Sequence, residues 1–406
     1  MASKPKRDLT VEEQLARGPL DLPFLMLVLL LTGIGLIMVF SASYASAYYD
    51  VQHVTGHDPT YFVVRQGLFA IAGIAVMYVV SKINYQNYRW MSVFVLVGAC
   101  FLLILVKVPH IGITVNGANR WIKLPGIPQF QPSEFAKIGI IMYFSARLAK
   151  RSTEKKKVFD HRTPRGRIFT FLERIGLLEL LPYAGILLAV AGLLLLEPHM
   201  SATILIFAVA ASVLFAAGIN LGWFVGGGAI AAVGMWFIIN MTPYMNDRIE
   251  MWKNPWLDAQ GGGYQAIQSL YAIGSGGLLG LGLGNSRQKF LYIPEPQNDF
   301  VFSIVCEELG FIGAGLVLVL FALLVLRGYW LAVHARDRFG ALLVVGITTQ
   351  MAVQVFLNIG VVTNLFPVTG ISLPFFSYGG TALVIQLIEM GIILGVSRQI
   401  PAPKAG

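Results

Sequence analysis

Asp299 ends the run Tyr292-Ile293-Pro294-Glu295-Pro296-Gln297-Asn298-Asp299-Phe300, and a long apolar segment begins two residues later at Val301. A carboxylate set just ahead of a hydrophobic span loses solvation unless it is wet, paired or used, so its position marks it for chemistry. Two roles suit it: general base toward a hydroxyl, or ligand holding a divalent cation against a pyrophosphate. The other polar segments supply groups that match. Arg120, Trp121, Lys123, Glu134, Arg248, Glu250, Lys253, Lys289 and Glu295 fall in the same set of loops, with Arg65 and Lys137 just inside neighbouring apolar runs. Arginine grips phosphate oxygens with a planar fork and lysine binds them as a point charge.

Each of these residues also has a plain structural reading. Glu134 and Lys137, three apart on a helix opened by Pro132-Ser133, share one face and suit capping plus a local ion pair. An ammonium one turn into a membrane still needs a polar cavity or a partner. Trp121 fits an interfacial aromatic belt, and Arg248 and Trp252 sit at helical spacing near an interface, where anchoring competes with ligand contact. Asp299 fits a cap for the span that follows. Glu307 and Glu308 lie about two turns further in, where at least one must face a polar interior or bond a neighbouring helix. His57, His110 and His199 show no metal-ligand spacing. Cys100 and Cys306 read as buried small hydrophobes.

The elements that must position these groups are membrane spans. The chain of 406 residues is 56% hydrophobic and 13% charged, about half the charge of a soluble domain. Ten apolar blocks of span length fall near 22–43, 62–80, 91–108, 133–149, 181–196, 200–218, 221–241, 301–326, 341–366 and 378–397. The expected fold is all-α: a single polytopic membrane domain over 1–406 with about ten transmembrane helices and a large extracytoplasmic loop, 242–300, between helices 7 and 8. The first span reads as an uncleaved helix after a polar tail over 1–21. With that tail inside, the inner segments hold about 21 of the 30 basic residues, which sets both termini in the cytoplasm. The basic loop over 150–180 belongs to the same pattern, so the net charge of +9 points to topology and anionic lipid and not to nucleic acid.

Two outer segments, 109–132 and 242–300, are rich in Gly and Pro, and irregular backbone at membrane depth must be covered by protein or water. Tyr264 to Leu283 is apolar but short and glycine-rich, which predicts a re-entrant or interfacial piece. Gly280-Leu-Gly282-Leu-Gly284 lacks the strand, helix and downstream acid of a dinucleotide fingerprint, and no phosphate loop is present, so no nucleotide is expected. No internal repeat is evident.

Taken in order, several motifs resemble the SEDS family of cell-wall polymerases, the FtsW, RodA and SpoVE proteins. They are Phe40-Ser41-Ala42-Ser43, Asn116-Gly117-Ala118-Asn119-Arg120-Trp121-Ile122, Gln131-Pro132-Ser133-Glu134-Phe135-Ala136-Lys137, Gly282-Leu283-Gly284-Asn285-Ser286, Pro294 through Phe300, Glu307-Glu308-Leu309-Gly310, and Pro374-Phe375-Phe376-Ser377-Tyr378-Gly379-Gly380. The Asn-Gly-Ala-x-Arg-Trp and Gly-Leu-Gly-Asn-Ser forms are more similar to the FtsW/SpoVE branch than to RodA. Asn298 stands where many members have Thr.

The resemblance implies a peptidoglycan glycosyltransferase of the bacterial cytoplasmic membrane that polymerises lipid II at the outer face during division, elongation or sporulation. It implies a class B penicillin-binding protein as partner, with other divisome or elongasome membrane proteins. Asp299 takes the place of the essential loop acid. Substrate contacts are expected from Arg120, Trp121, Glu134, Lys137, Arg248, Arg65, Lys289 and Ser377. A divalent cation, Mg or Mn, held by Asp299 or Glu134, would assist as Lewis acid. Two rival readings stay open at this point: a lipid II flippase, and a structural recruiter of division proteins.

Overall fold

The computed structural model describes residues 18–51, 53–115, 118–123, 125–126, 128–151, 176–197, 199–241 and 243–400. Most of the expected polar tail and of the basic loop over 150–180 lies outside the described residues. Among the described residues twelve α-helices and one hairpin follow in order: α1 Leu22–Tyr48, α2 Tyr61–Lys82, α3 Tyr88–Leu105, β1 Gly112–Val115, β2 Ala118–Ile122, α4 Pro132–Arg151, α5 Leu177–Leu196, α6 Met200–Ala216, α7 Leu221–Met241, α8 Pro243–Lys253, α9 Tyr264–Gly276, α10 Val301–His334, α11 Arg338–Val362 and α12 Gly380–Ser397. Seven of them, α1, α2, α3, α5, α10, α11 and α12, are long and apolar enough to cross a membrane. The remaining three expected spans correspond to α4, which carries Glu134 and Lys137, to the shorter α6, and to α7. The protein is a multi-pass membrane protein.

Two large apolar clusters hold the bundle together: one is built mainly from α1, α2, α10, α11 and α12, the other mainly from α3, α4, α5 and α6, and α3, α4, α6 and α11 contribute buried residues to both. Small residues set the closest approaches, as expected where lipid removes the hydrophobic drive between helices. Gly391 of α12 is an example, because a Cβ there would stand 2.7 Å from the Met77 carbonyl of α2. None of the described side chains of α7 is buried. At one end of the bundle Asp21 caps α1 through Phe24 N at 2.9 Å and pairs with Arg327 of α10 at 2.5 Å. The opposite end carries the hairpin and the loops before α10 and α12.

The predicted re-entrant piece is α9 and the glycine-rich turn after it. This segment repairs a break in α10. Gly310 has φ 66 inside α10, so the helical ladder is interrupted at a depth where unpaired backbone groups are costly. Residues 277–282 lie against the break and close it: Leu281 N and Gly282 N donate to the Glu307 and Glu308 carbonyls at 3.0 Å each, while Phe311 N and Ile312 N donate to Gly277 O and Leu278 O at 2.9 and 3.1 Å. The two backbones touch at glycine. A Cβ on Gly310 would meet Gly280 N at 2.2 Å, and its positive φ strains any other residue. Gly310→Ala is therefore expected to destabilise the protein by roughly 2–3 kcal/mol, seen as a lowered melting temperature in detergent.

Candidate functional site

Asp299 sits at the mouth of α10, whose cap position is Phe300 and not the aspartate. Its backbone is fixed by an amide from below: Asn358 of α11 donates through Nδ2 to the Asp299 carbonyl at 2.7 Å and to the Ile371 carbonyl at 2.8 Å. One side chain thus joins the loop before α10 to the loop before α12. Tyr378 N donates to Gln297 O at 2.7 Å, and Gln66 of α2 bonds both Ser377 O and Gly379 N at 3.2 Å. The backbone at Gly370, with φ 70, passes so close that a Cβ there would stand 3.8 Å from Asp299 Oδ2. Burial pushes the Asp299 carboxyl up from 3.8 to about 6; its own N–H and Arg248 pull against that rise, and Glu295 adds to it.

Asp299 opens onto a cavity of about 1300 Å³. Its walls come from α2 (Tyr61, Arg65, Phe69), the hairpin and the turn after it (Arg120, Trp121, Lys123, Gln129, Gln131), His199, the acidic loop (Glu295, Gln297, Asn298, Asp299) and the loop into α12 (Gly370, Ser377, Tyr378, Gly380). The hairpin places Arg120 and Trp121 there. Its two strands are antiparallel with Trp121 opposite Ile113 and a register slip between Ile113 and Thr114, and Ile122 bridges onward to Phe130. The cavity is polarised, with cations and imidazoles on the hairpin side and two carboxylates at the mouth of α10. Glu197, fully buried beside the hairpin side, is pushed by burial up to about 8 against the pull of Lys107 and Arg120. His199 is driven by burial, and further by Arg120 and Lys137, down to about 3.

The family model described as "Cell cycle protein", covering FtsW, RodA and SpoVE, matches residues 22–401. The chain belongs to the FtsW/RodA/SpoVE family. It is 42% identical over 378 residues to stage V sporulation protein E of Bacillus subtilis, covering 93% of this chain and 97% of that protein. It is 41% identical over 389 residues to the probable peptidoglycan glycosyltransferase FtsW of Trichlorobacter lovleyi, 95% of each chain. These matches set it in the FtsW/SpoVE branch of the SEDS family. Among solved structures it resembles a chain in a study entitled "Structural coordination of polymerization and crosslinking by a peptidoglycan synthase complex", with TM-score 0.71, 27% identity, and 93% and 98% of the two chains covered. Thermus thermophilus RodA matches with TM-score 0.64 and 27% identity over 95% of this chain and 98% of that one.

In this SEDS protein the residues named from sequence divide into two groups. Arg65, Arg120, Trp121, Ser377 and Asp299 line the one cavity. Arg65 lies over the Tyr61 ring at 4.3 Å, and Ser377 Oγ accepts from Leu373 N at 2.7 Å. Glu134, Lys137, Arg248 and Lys289 are not among the lining residues. Glu134 and Lys137 form an ion pair at 2.7 Å, the ammonium only 2% exposed. Arg248 of α8 donates to the Val368 carbonyl at 2.9 Å, bracing the loop behind Gly370. Lys289 pairs with Glu308 at 3.0 Å.

Several contributors lay outside the sequence reading. Gln66 and Asn358 lie inside apolar runs, and an amide at membrane depth is the signal that could have found them, since it must have a partner there. Gln350 and Glu389 carry the same signal: Gln350 Nε2 donates to both Glu389 oxygens at 2.8 and 2.9 Å. His199 has no second ligand at metal spacing in the sequence. Only the fold brings it to the cavity.

Proposed function

We propose that this protein polymerises lipid II into glycan strands at the outer face of the bacterial cytoplasmic membrane, with both termini in the cytoplasm. The observation that carries the reading is the meeting, in one cavity at one end of the bundle, of Asp299 with the cationic hairpin wall, in a member of a family whose relatives are named peptidoglycan glycosyltransferases. A carboxyl at about 6 is ionised near neutral pH yet basic enough to accept a proton, the balance that general-base catalysis favours.

Asp299 takes the proton of the acceptor sugar hydroxyl as that oxygen forms its bond to the anomeric carbon of the donor. The bond from that carbon to the polyprenyl pyrophosphate breaks, and the pyrophosphate leaves with the electron pair. Arg120, Lys123 and Arg65 stabilise the charge that develops on it, and fixed cations in a low-dielectric cavity do this without reorganising. Lys137, neutralised by Glu134, and Arg248, which lies on the Asp299 side of the cavity, both stand outside its lining. A divalent cation, when bound, would be held by Asp299 and Glu295, which both line the mouth of α10, as magnesium is commonly held by one or two carboxylates plus substrate phosphates; Glu134, the other carboxylate expected from sequence, is instead paired with Lys137 outside the cavity lining. The cation would supply Lewis-acid stabilisation to the leaving group. A class B penicillin-binding protein is the expected partner, in keeping with the synthase complex in which a similar chain is found.

Purified protein in detergent, given lipid II and divalent ions with and without a class B penicillin-binding protein, is expected to form glycan strands resolvable by gel. A flippase needs two sealed compartments and makes no polymer. Absence of strands under every condition rejects the proposal.

A further inference from the structure

The Asp299 carboxyl takes a hydrogen bond from its own N–H, while Arg248 and Glu295 reach it by charge. Its place in the cavity is therefore set by the main chain beneath it. Asn358 of α11 holds that main chain. The buried amide, 1% exposed, puts one atom 2.7 Å from the Asp299 carbonyl oxygen and 2.8 Å from that of Ile371. Carbonyl oxygens only accept, so the partners themselves identify that atom as the NH2 end. The loop that carries Ile371 is pinned independently of Asp299. Ser201 of α6 donates to the Thr369 carbonyl, Arg248 of α8 donates to the Val368 carbonyl at 2.9 Å, and Phe375 N donates to Gln386 Oε1 of α12 at 3.1 Å. As a purely structural device the amide is poor. Its Oδ1 is buried with no hydrogen-bond partner among the described residues, and an orphaned acceptor offsets much of what two donated bonds contribute. What those bonds secure is a distance, and a general base must come within about 2.6–3.2 Å of the proton-bearing atom.

We propose that Asn358 is a positioning residue for glycosyl transfer, carrying the fixed position of the loop before α12 across to Asp299 so that the carboxyl meets the acceptor hydroxyl. Asn358 is not among the residues that line the cavity, so it acts through the main chain of Asp299 and not on the substrate. The inference rests on the glycosyltransferase reading and adds to it the group that sets the base in place. Its consequence is a split: the chemical step depends on Asn358, while substrate affinity and the ionisation of the carboxyl do not.

The test is the initial rate of lipid II polymerisation by the full-length protein in detergent, measured against lipid II concentration and pH, with the melting transition of each variant recorded. Asn358→Leu matches the amide in shape and removes both donors. Its kcat is expected to fall about 100-fold, the loss that goes with about 1 Å of misplacement, with KM within about threefold of wild type. Its rate should stay half-maximal near pH 6, because the tie meets the carbonyl of Asp299 and not the carboxyl. Asn358→Gln keeps the NH2 group on an arm one methylene longer, so the fold retains its donor while the base is displaced; kcat is expected at least about tenfold below wild type. A tie that served only the fold would be satisfied by glutamine. Wild-type kcat in Asn358→Gln, a loss carried by KM, or loss of the melting transition in both variants overturns the positioning role. The wild-type protein reports separately: strands from wild type with kcat unchanged in the variants sink only the positioning role, whereas no strands from wild type sink the glycosyltransferase reading itself.

Discussion

Asp299→Asn is expected to cut lipid II polymerisation at least about 100-fold, the lower range for loss of a general base, while leaving the protein folded. The substitution keeps size and shape and removes only the capacity to take a proton. The wild-type rate should follow ionisation of the carboxyl: half-maximal near pH 6, level above it, and falling about tenfold per pH below it, given a folded-state value of about 6. Stability gives an independent sign. The folded-state value lies above the unfolded 3.8, so the native protein binds the proton more tightly, and stability contributed by the protonated form is lost as pH rises from about 4 to about 6. Above that window the buried charge destabilises the fold by at most roughly 3 kcal/mol, reduced by the side chain's partial access to the cavity. The asparagine variant should therefore melt at or above the wild-type temperature at pH 8 and match it near pH 4. An inactive variant that melts lower at pH 8 would mean that the carboxylate serves the structure.

The spans were legible because length and apolarity determine them almost alone. The ten blocks correspond to helices in the described residues, with ends shifted by up to eight positions, as at 301–326 against Val301–His334. Asp299 was legible for the related reason that a lone carboxylate next to a span has few bland explanations. What could not be read was which charges meet. Lys289 and Arg120 are both cations in polar segments, and nothing local separates them. Only the route of the chain shows that Arg120 rides a hairpin over the cavity while Lys289 turns toward Glu308. The hairpin itself was read only as irregular backbone, since a few residues per strand with one register slip make little period-2 signal. His199 depends on α6 starting against Gln131, a long-range meeting that sequence spacing does not encode.

Lys289→Met is expected to destabilise the protein by about 3–5 kcal/mol, because it leaves Glu308 charged in a buried site. Lys289 Nζ donates to Glu308 Oε1 at 3.0 Å, to Ser41 Oγ at 3.1 Å and to Gly284 O at 2.6 Å. Ser41 Oγ donates back to both Glu308 oxygens at 2.6 and 2.8 Å, and Ser286 N to one at 3.2 Å. Glu307 beside it takes Ser286 Oγ at 2.5 Å and Arg287 N at 3.0 Å. The pair therefore ties the turn at 284–289 to α1 and to the start of α10, and Asp299 hangs from the far end of the same loop. Lys289→Met should lose polymerisation through displacement of that loop. The double variant Lys289→Met/Glu308→Gln removes the stranded charge and should recover at least about half of the lost stability, as buried pairs replaced together often do, along with measurable activity. A lysine that bound substrate phosphate would behave differently: no change at Glu308 could restore it. Melting temperature and strand formation measured on the two single variants and the double decide between a brace and a ligand, and failure of the double to recover either would assign Lys289 to the substrate.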